Sequence, residues 1–350
     1  MKRIFLSLSI CVLSLSCRKE YDVNDFSGNL KPYLERLSKE KAIPVSDTVA
    51  KKFLERNASK EELIKLMDAK KPLLRVVAYR AIINRSEPEY FDLLINHLSD
   101  TAKVAWWYYE DAGSYFSVSD VMIREAFDKN GLSPIQKKVL TERVLLEHSY
   151  LDISNWMIQD IDPDKKYYHL IKERAKTKSK DCGNQLTSCY ALSKFRKKQD
   201  GKLLLSVFEQ NINGYCLENI FKSIEIFPDA VFFPLLKSYF QDNIKDKLSE
   251  KKNLDNNVLY FVKAVAAYKN SEALEILNYI AQNNTYINKG FWPPANKTYV
   301  LKALKIHYTP VYDPLIKEIE KEMNPCDLKS LISEITNETR AGNQQKWQMY

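Results

Sequence analysis

The amino-acid sequence predicts an all-α fold in which about seven helix pairs are stacked on one another. Three observations lead to this prediction. Glycine is scarce, pairs of apolar residues recur at a fixed offset, and prolines commonly lie between the two halves of each repeat. The size of the chain, 350 residues, allows a substantial core.

Only 8 residues are glycine, about 2% of the chain against a usual share near 7%. The closest two, Gly201 and Gly214, are 13 positions apart. A turn-rich β protein needs left-handed residues at many hairpins, and a phosphate-binding loop needs several glycines within a few residues. The composition therefore disfavours a turn-rich β fold and excludes a dinucleotide fingerprint and a P-loop.

Residues 1–16 predict a signal peptide. Lys2 and Arg3 precede an uncharged stretch that is too short to span a bilayer and that fits the apolar region of a secretory signal. The run Ser14-Leu15-Ser16-Cys17 resembles the lipobox of bacterial lipoproteins, although that family usually has leucine where this chain has Ser14. The resemblance implies lipidation at Cys17. A plain signal peptide that contains a cysteine is the alternative.

Lipidation implies a lipid-anchored protein of the bacterial cell envelope, expected at the outer membrane, with its sidedness open. The formal charge of +8 falls by two in the mature chain, because Lys2 and Arg3 are removed with the signal. A modest positive balance suits anionic envelope polymers and does not indicate nucleic acid, and a solvated mixture of charges is the alternative. We expect residues 17–29 to be a lipidated tether and residues 337–350 a polar tail.

Apolar pairs recur twelve and thirteen residues after a starting residue in seven places. In the first, Ala81 is followed by Leu93 and Leu94. The other six starting residues are Phe127, Ile158, Ala191, Ser223, Ala264 and Ala303. Proline lies between the start and the pair in five of the seven units. Because proline ends one helix and suits the first turn of the next, each unit predicts a helix, a short turn and a second helix.

One helix pair cannot bury its apolar face alone, whereas stacked pairs can, so the repeat predicts an α-solenoid over residues 30–336. The segment Lys71–Asp100 resembles the HEAT-repeat family, with Pro72 and Arg75 in its first helix and Asp100 after its second. Later units match only in apolar pattern and length. The resemblance covers about residues 61–322 and implies a surface that binds a partner.

Four cysteines follow Cys17, and none forms a CxxC pair, which disfavours a zinc site. The envelope is oxidising, so disulfides are permitted. Cys182 and Cys189 are too far apart to be joined within one helix, where seven residues rise about 10 Å. The repeat register brings Cys182 and Cys216 to a similar height, which predicts a Cys182–Cys216 disulfide. Four buried thiols, with Cys326 as the last, are the alternative.

A cluster of aromatic residues after Asp100 is the predicted partner-binding site. It contains Trp106, Trp107, Tyr108 and Tyr109, and a second candidate lies at Trp292. Aromatic clusters are favoured anchors at recognition surfaces. The alternative is that these rings close the core. The experiment that separates the two is single substitution of the tryptophans by alanine.

No HExxH or GxSxG motif is present, and the four histidines are far apart in the sequence. We therefore expect no catalytic residue, no metal and no cofactor, and a non-enzymatic protein that binds a protein or an envelope polymer. One alternative is a hydrolase or lyase acting on envelope glycans, which requires clustered carboxylates. Another is a toxin-neutralising or complex-assembly protein. Some HEAT-like proteins are DNA glycosylases, but the export signal argues against that activity.

Overall fold

Helices account for most of the computed structural model, which describes residues 20–44, 46–107, 113–128, 132–179, 182–283 and 296–341. The helical class that the sequence predicts is confirmed. A small three-stranded sheet accompanies the helices, and the sequence did not predict it. The chain divides into two compact units, Met1–Leu140 and Thr141–Tyr350.

The first unit combines helices with the three strands. In chain order its elements are α1 (Lys31–Leu37), β1 (Ala42–Ile43), α2 (Thr48–Asn57), α3 (Lys60–Leu66), α4 (Pro72–Asn84), α5 (Tyr90–Asn96), β2 (Lys103–Trp107), β3 (Gly113–Ser117) and α6 (Val118–Asp128). Helix α2 packs against α4, and α4 packs against α6. Helix α3 begins at a capping box, where Ser59 Oγ accepts from the Glu62 amide at 3.1 Å and Glu62 Oε2 accepts from the Ser59 amide at 2.7 Å.

The described residues of the second unit form helices and their connections, with no strand among them. Helix α7 (Pro134–Glu147) crosses the boundary between the units. The following elements are α8 (Ile153–Asp160), α9 (Lys165–Lys176), α10 (Cys182–Ser193), α11 (Gly201–Asn211), α12 (Leu217–Ile226), α13 (Phe233–Tyr239), α14 (Asp246–Ser249), α15 (Asn257–Ala266), α16 (Ser271–Gln282), α17 (Asn296–Ile306), α18 (Asp313–Glu322) and α19 (Pro325–Ala341). Helices α8, α10, α12, α15 and α17 follow one another as packed neighbours.

The apolar pairs found in the sequence mark successive helices. Each starting residue lies in one helix and its apolar pair lies in the next, from Ala81 in α4 with its pair in α5 to Ala303 in α17 with its pair in α18. The second member of each pair is a core residue, and these residues are Leu94, Leu140, Ile171, Leu204, Leu236, Leu277 and Ile316. The first member is less buried in five pairs, because a step of one residue turns a helix by about 100°.

The N-terminal segment differs from the predicted tether over residues 17–29. Its described part, from Glu20 onward, is packed on the first unit. Tyr21 pairs with the α3–α4 connection, since its amide donates to the Asp68 carbonyl at 2.9 Å and its carbonyl accepts from the Lys70 amide at 2.8 Å. Phe26 is buried, and Gly28 supplies a left-handed turn at φ +66° after it. The polar composition of this segment does not predict its attachment, because the attachment needs only one buried ring and one backbone bridge.

The structure contains the Cys182–Cys216 disulfide that the repeat register predicts, with a Cα–Cα distance of 6.2 Å. Cys182 is the first residue of α10, and Cys216 directly precedes α12. The bond therefore joins the starts of two neighbouring helices. Of the remaining described cysteines, Cys189 is a buried free thiol and Cys326 is exposed. Burial raises the pKa of the Cys189 thiol to about 12, which keeps it protonated and unreactive at neutral pH.

The unequal burial within one apolar pair gives a matched test of the core. Replacing Leu204 with Ala removes a fully buried side chain and leaves a cavity, so the free energy of unfolding should fall by about 2–5 kcal/mol. Replacing its neighbour Leu203, which is half-buried in the same helix, should cost clearly less. Urea unfolding followed by circular dichroism measures both variants, and equal losses would contradict the assigned core position.

Candidate functional site

The two tryptophans predicted as partner anchors lie next to each other on β2 but on opposite faces of the sheet. Successive side chains of a strand alternate between faces. Trp106 shares a face with the buried Val104 and is itself half-buried, whereas Trp107 is 43% exposed. The structure therefore places on opposite faces two side chains that the sequence predicts to share one site.

The sheet that carries these rings has the strand order β1-β2-β3. Strand β1 runs parallel to β2, with Ile43 beside Trp106, and β3 runs antiparallel to β2, with Ser114 beside Trp106. Gly113 begins β3 where only glycine fits, because a Cβ there would lie 2.8 Å from the Trp106 carbonyl oxygen.

Polar contacts fix the sheet to helix α6. Ser117 ends β3 directly before α6, and its Oγ accepts from the Asp120 amide at 3.0 Å and donates to the Asp120 carboxylate at 2.5 Å. The Arg124 guanidinium lies over the ring of Phe116, with its Cζ atom 4.8 Å from the ring centre. The hairpin is therefore held on a helix, and the position of Trp106 follows from that attachment.

Trp106 lines a cleft of about 480 Å³ across the layer formed by α2, α4 and α6. The volume lies within the range of ligand sites, about 300–1,000 Å³. The other lining residues are Lys51, Lys52, Glu55 and Arg56 on α2, Arg80 and Asn84 on α4, and Glu125 and Asp128 on α6. The cleft is therefore lined by one indole ring and by side chains that are mostly charged.

Both glutamates in the cleft are held by side chains of a neighbouring helix. Arg80 Nη2 donates to Glu125 Oε1 in an ion pair whose side chains are 14% and 7% exposed. Asn84 Nδ2 donates to Glu55 Oε2 at 3.2 Å. These contacts tie α4 to α6 and to α2, so they define the shape of the cleft and engage two of its carboxylates.

The cationic rim of the cleft is different. Lys51, Lys52 and Arg56 lie on one helix, and none of the three has an ion-pair partner in the part of the chain that the structure describes. Lys52 and Arg56 are four residues apart, a spacing at which like charges on a helix repel. Together with an indole, such a rim suits a ligand that offers negative charge and a flat apolar face.

This basic rim was not predicted from the sequence, because a mixture of charges is ordinarily solvated. The available signal was the run Lys51-Lys52 followed by Arg56 at helical spacing. Among the predicted site residues, Tyr108, Tyr109, Trp292 and Cys17 lie outside the described residues. Trp106 is the predicted residue that the structure places in the cleft.

A second polar cluster lies at the start of α11 in the second unit. The buried Asp200 accepts from Tyr168 OH at 2.9 Å and from Lys172 Nζ at 2.6 Å, and the hydrogen bond to Asp200 raises the pKa of Lys172. Lys197 Nζ lies 3.3 Å from the centre of the Tyr168 ring. These groups bind each other and hold α9 against the start of α11, which gives the cluster a structural role.

Comparison of the chain with known protein families, with curated proteins and with solved structures finds no match. None of the helices in the described ranges combines the length and apolar character that a membrane span requires. Across the same ranges, no group of three or more histidine, cysteine, aspartate or glutamate side chains is placed to hold a metal ion.

The Arg80–Glu125 pair predicts a large cost when one partner is neutralised. Replacing Glu125 with Gln leaves the Arg80 charge in a mostly buried site, so the free energy of unfolding should fall by about 3–5 kcal/mol. The matched control is Glu147 to Gln, which breaks the exposed Arg143–Glu147 pair and should cost at most about 1 kcal/mol. Urea unfolding measures both, and a loss for Glu125 no larger than for Glu147 would contradict this role.

Proposed function

We propose that the chain is a non-enzymatic, lipid-anchored protein of the bacterial cell envelope whose helical-repeat surface binds a protein or polymer partner. The observation that carries the proposal is the cleft across α2, α4 and α6. There, an indole and a cationic rim line the same space, and the rim has no ion-pair partner among the described residues. A site of this composition is suited to recognition.

The succession of helix pairs supports an α-solenoid similar to HEAT repeats. The first helices of the units pack on one another in chain order within each compact unit, from α4 to α6 and from α8 through α17. In the segment that resembles HEAT repeats, Arg75 Nη1 donates to Asp100 Oδ2 at 2.6 Å and links its first helix to the residue after its second. Glu225 on α12 lies 3.0 Å from His307, so two side chains meet across α15.

The engagement of both glutamates in the cleft favours binding over catalysis. Glu125 is paired with Arg80, and Glu55 accepts from Asn84. An acid or base that acts on a glycan must be directed at the reacting atoms, whereas these two carboxylates are directed at neighbouring helices.

The envelope location rests on the N-terminal sequence. A positive start, a short uncharged stretch and the run that ends at Cys17 support export and acylation at the outer membrane. In that compartment the positive rim of the cleft favours an acidic partner, either an envelope polymer or an acidic protein surface, and nucleic acid is not expected.

The binding proposal is tested by replacing the two adjacent tryptophans one at a time. Trp106 to Ala should abolish capture of the partner from solubilised envelope membranes, because it removes the indole from the cleft. Trp107 to Ala should leave capture unchanged, because that ring lies on the other face of the sheet. Both variants are compared by thermal unfolding, so a stability loss is separated from a binding loss. Equal capture by the two variants would reject the cleft as the site.

The anchoring proposal is tested at Cys17. The wild-type protein should incorporate a fatty-acid analogue and remain with the membrane fraction, because two or three acyl chains give stable attachment. Cys17 to Ser should lose the label and appear in the soluble fraction. The matched control is Cys326 to Ser, which removes an exposed thiol far along the chain and should change neither readout. Labelling that persists in the Cys17 variant would reject this attachment site.

A further inference from the structure

The folded part of the chain begins very close to the proposed acylation site. Tyr21 is fixed to the first unit by two backbone hydrogen bonds, to the Asp68 carbonyl and from the Lys70 amide. The next residues are also held, since Lys65 Nζ donates to the Asp25 carbonyl at 2.6 Å and Phe26 is buried. The attachment therefore involves main chain, a cation and an apolar ring.

Only three residues, Arg18, Lys19 and Glu20, separate Cys17 from Tyr21. Four consecutive Cα–Cα steps span at most about 14 Å when fully extended. A flexible tether over residues 17–29, as expected from sequence, would have a root-mean-square reach of about 20 Å and would leave the direction of the unit free. The bridge at Tyr21 removes most of that freedom.

We infer that the surface of the first unit around Tyr21 is held against the headgroup layer of the bilayer into which Cys17 is anchored. This inference rests on the acylation of Cys17 in the proposed function. The surface around Tyr21 contacts lipid, because the short connection to Cys17 keeps this face close to the bilayer.

The chemistry of this surface suits lipid headgroups. A groove of about 320 Å³ is lined by Lys70 and Lys71 together with Tyr21, Asp22, Val23, Ser38 and Leu74, and the Lys70 side chain is 59% exposed. Lys70 Nζ lies 3.9 Å from the Asp22 carboxylate, so that ion pair is loose. Lysines attract the phosphates of headgroups, and tyrosine favours the membrane–water interface because its ring is apolar and its hydroxyl is polar.

A consequence for the proposed function is that a partner must reach the first unit at the membrane surface. The anchored unit does not extend outward on a long linker. The other surfaces of the unit, including the cleft lined by Trp106, then have a fixed orientation relative to the bilayer.

The test measures how close Lys70 lies to the bilayer. A nitroxide is placed on Lys70→Cys in the acylated, full-length protein, with Cys326→Ser to remove the exposed native thiol. The protein is reconstituted into vesicles of phosphatidylcholine and phosphatidylglycerol that contain a nickel-chelating lipid. Collisions between nickel and nitroxide should be frequent. They should be lost when 20 Gly/Ser residues, about 25 Å in root-mean-square length, are inserted between Lys19 and Glu20.

Two controls separate the possible failures. The same label in Cys17→Ser protein should show no collisions, and mass spectrometry of each sample reports whether Cys17 is acylated. An acylated protein with few collisions, unchanged by the insertion, would overturn the membrane-facing surface and leave the anchor intact. Absence of the acyl group would instead overturn the proposed anchor and, with it, this inference.

Discussion

The fold depends on the burial of one apolar residue from each second helix in the core. A single helix pair leaves its apolar stripe exposed to water, and the stripe becomes a core only when another pair covers it. The fully buried positions at Leu204, Leu236 and Leu277 show the same arrangement at successive points of the second unit. The Cys182–Cys216 bond adds a covalent link between two neighbouring helices of this layer. Packing within the unit therefore proceeds from neighbour to neighbour.

The candidate site arises where the first unit departs from helices alone. A hairpin between α5 and α6 carries Trp106 to the edge of the layer formed by α2, α4 and α6. The hairpin depends on Gly113, which permits the close approach of β2, and on Ser117, which caps α6. The cleft made in this way combines one aromatic ring with charges from three helices. Its character comes from an insertion into the repeat, whereas the repeat itself provides the support.

Much of the fold could be predicted from the sequence. The recurring apolar pairs predicted where each helix and the next one lie in the sequence. The register of those helices indicated the pairing of Cys182 with Cys216. The candidate site could be predicted only in part. Trp106 was identified by its aromatic neighbours, but strand alternation placed Trp107 on the opposite face. The cationic rim on α2 was missed because a charged helix face is ordinarily solvated, and only its position beside an indole gives it meaning.

Sequence by itself determined the helical class, the positions of the helix pairs, the scarcity of glycine-dependent loops and the signal-like beginning of the chain. These properties are local, because they depend on the spacing of apolar residues, prolines and charges within a few turns. Tertiary structure alone decided which member of each apolar pair is buried, which tryptophan faces the cleft, and that Tyr21 is fixed rather than part of a tether. These properties depend on contacts between residues far apart in sequence, which no local pattern specifies.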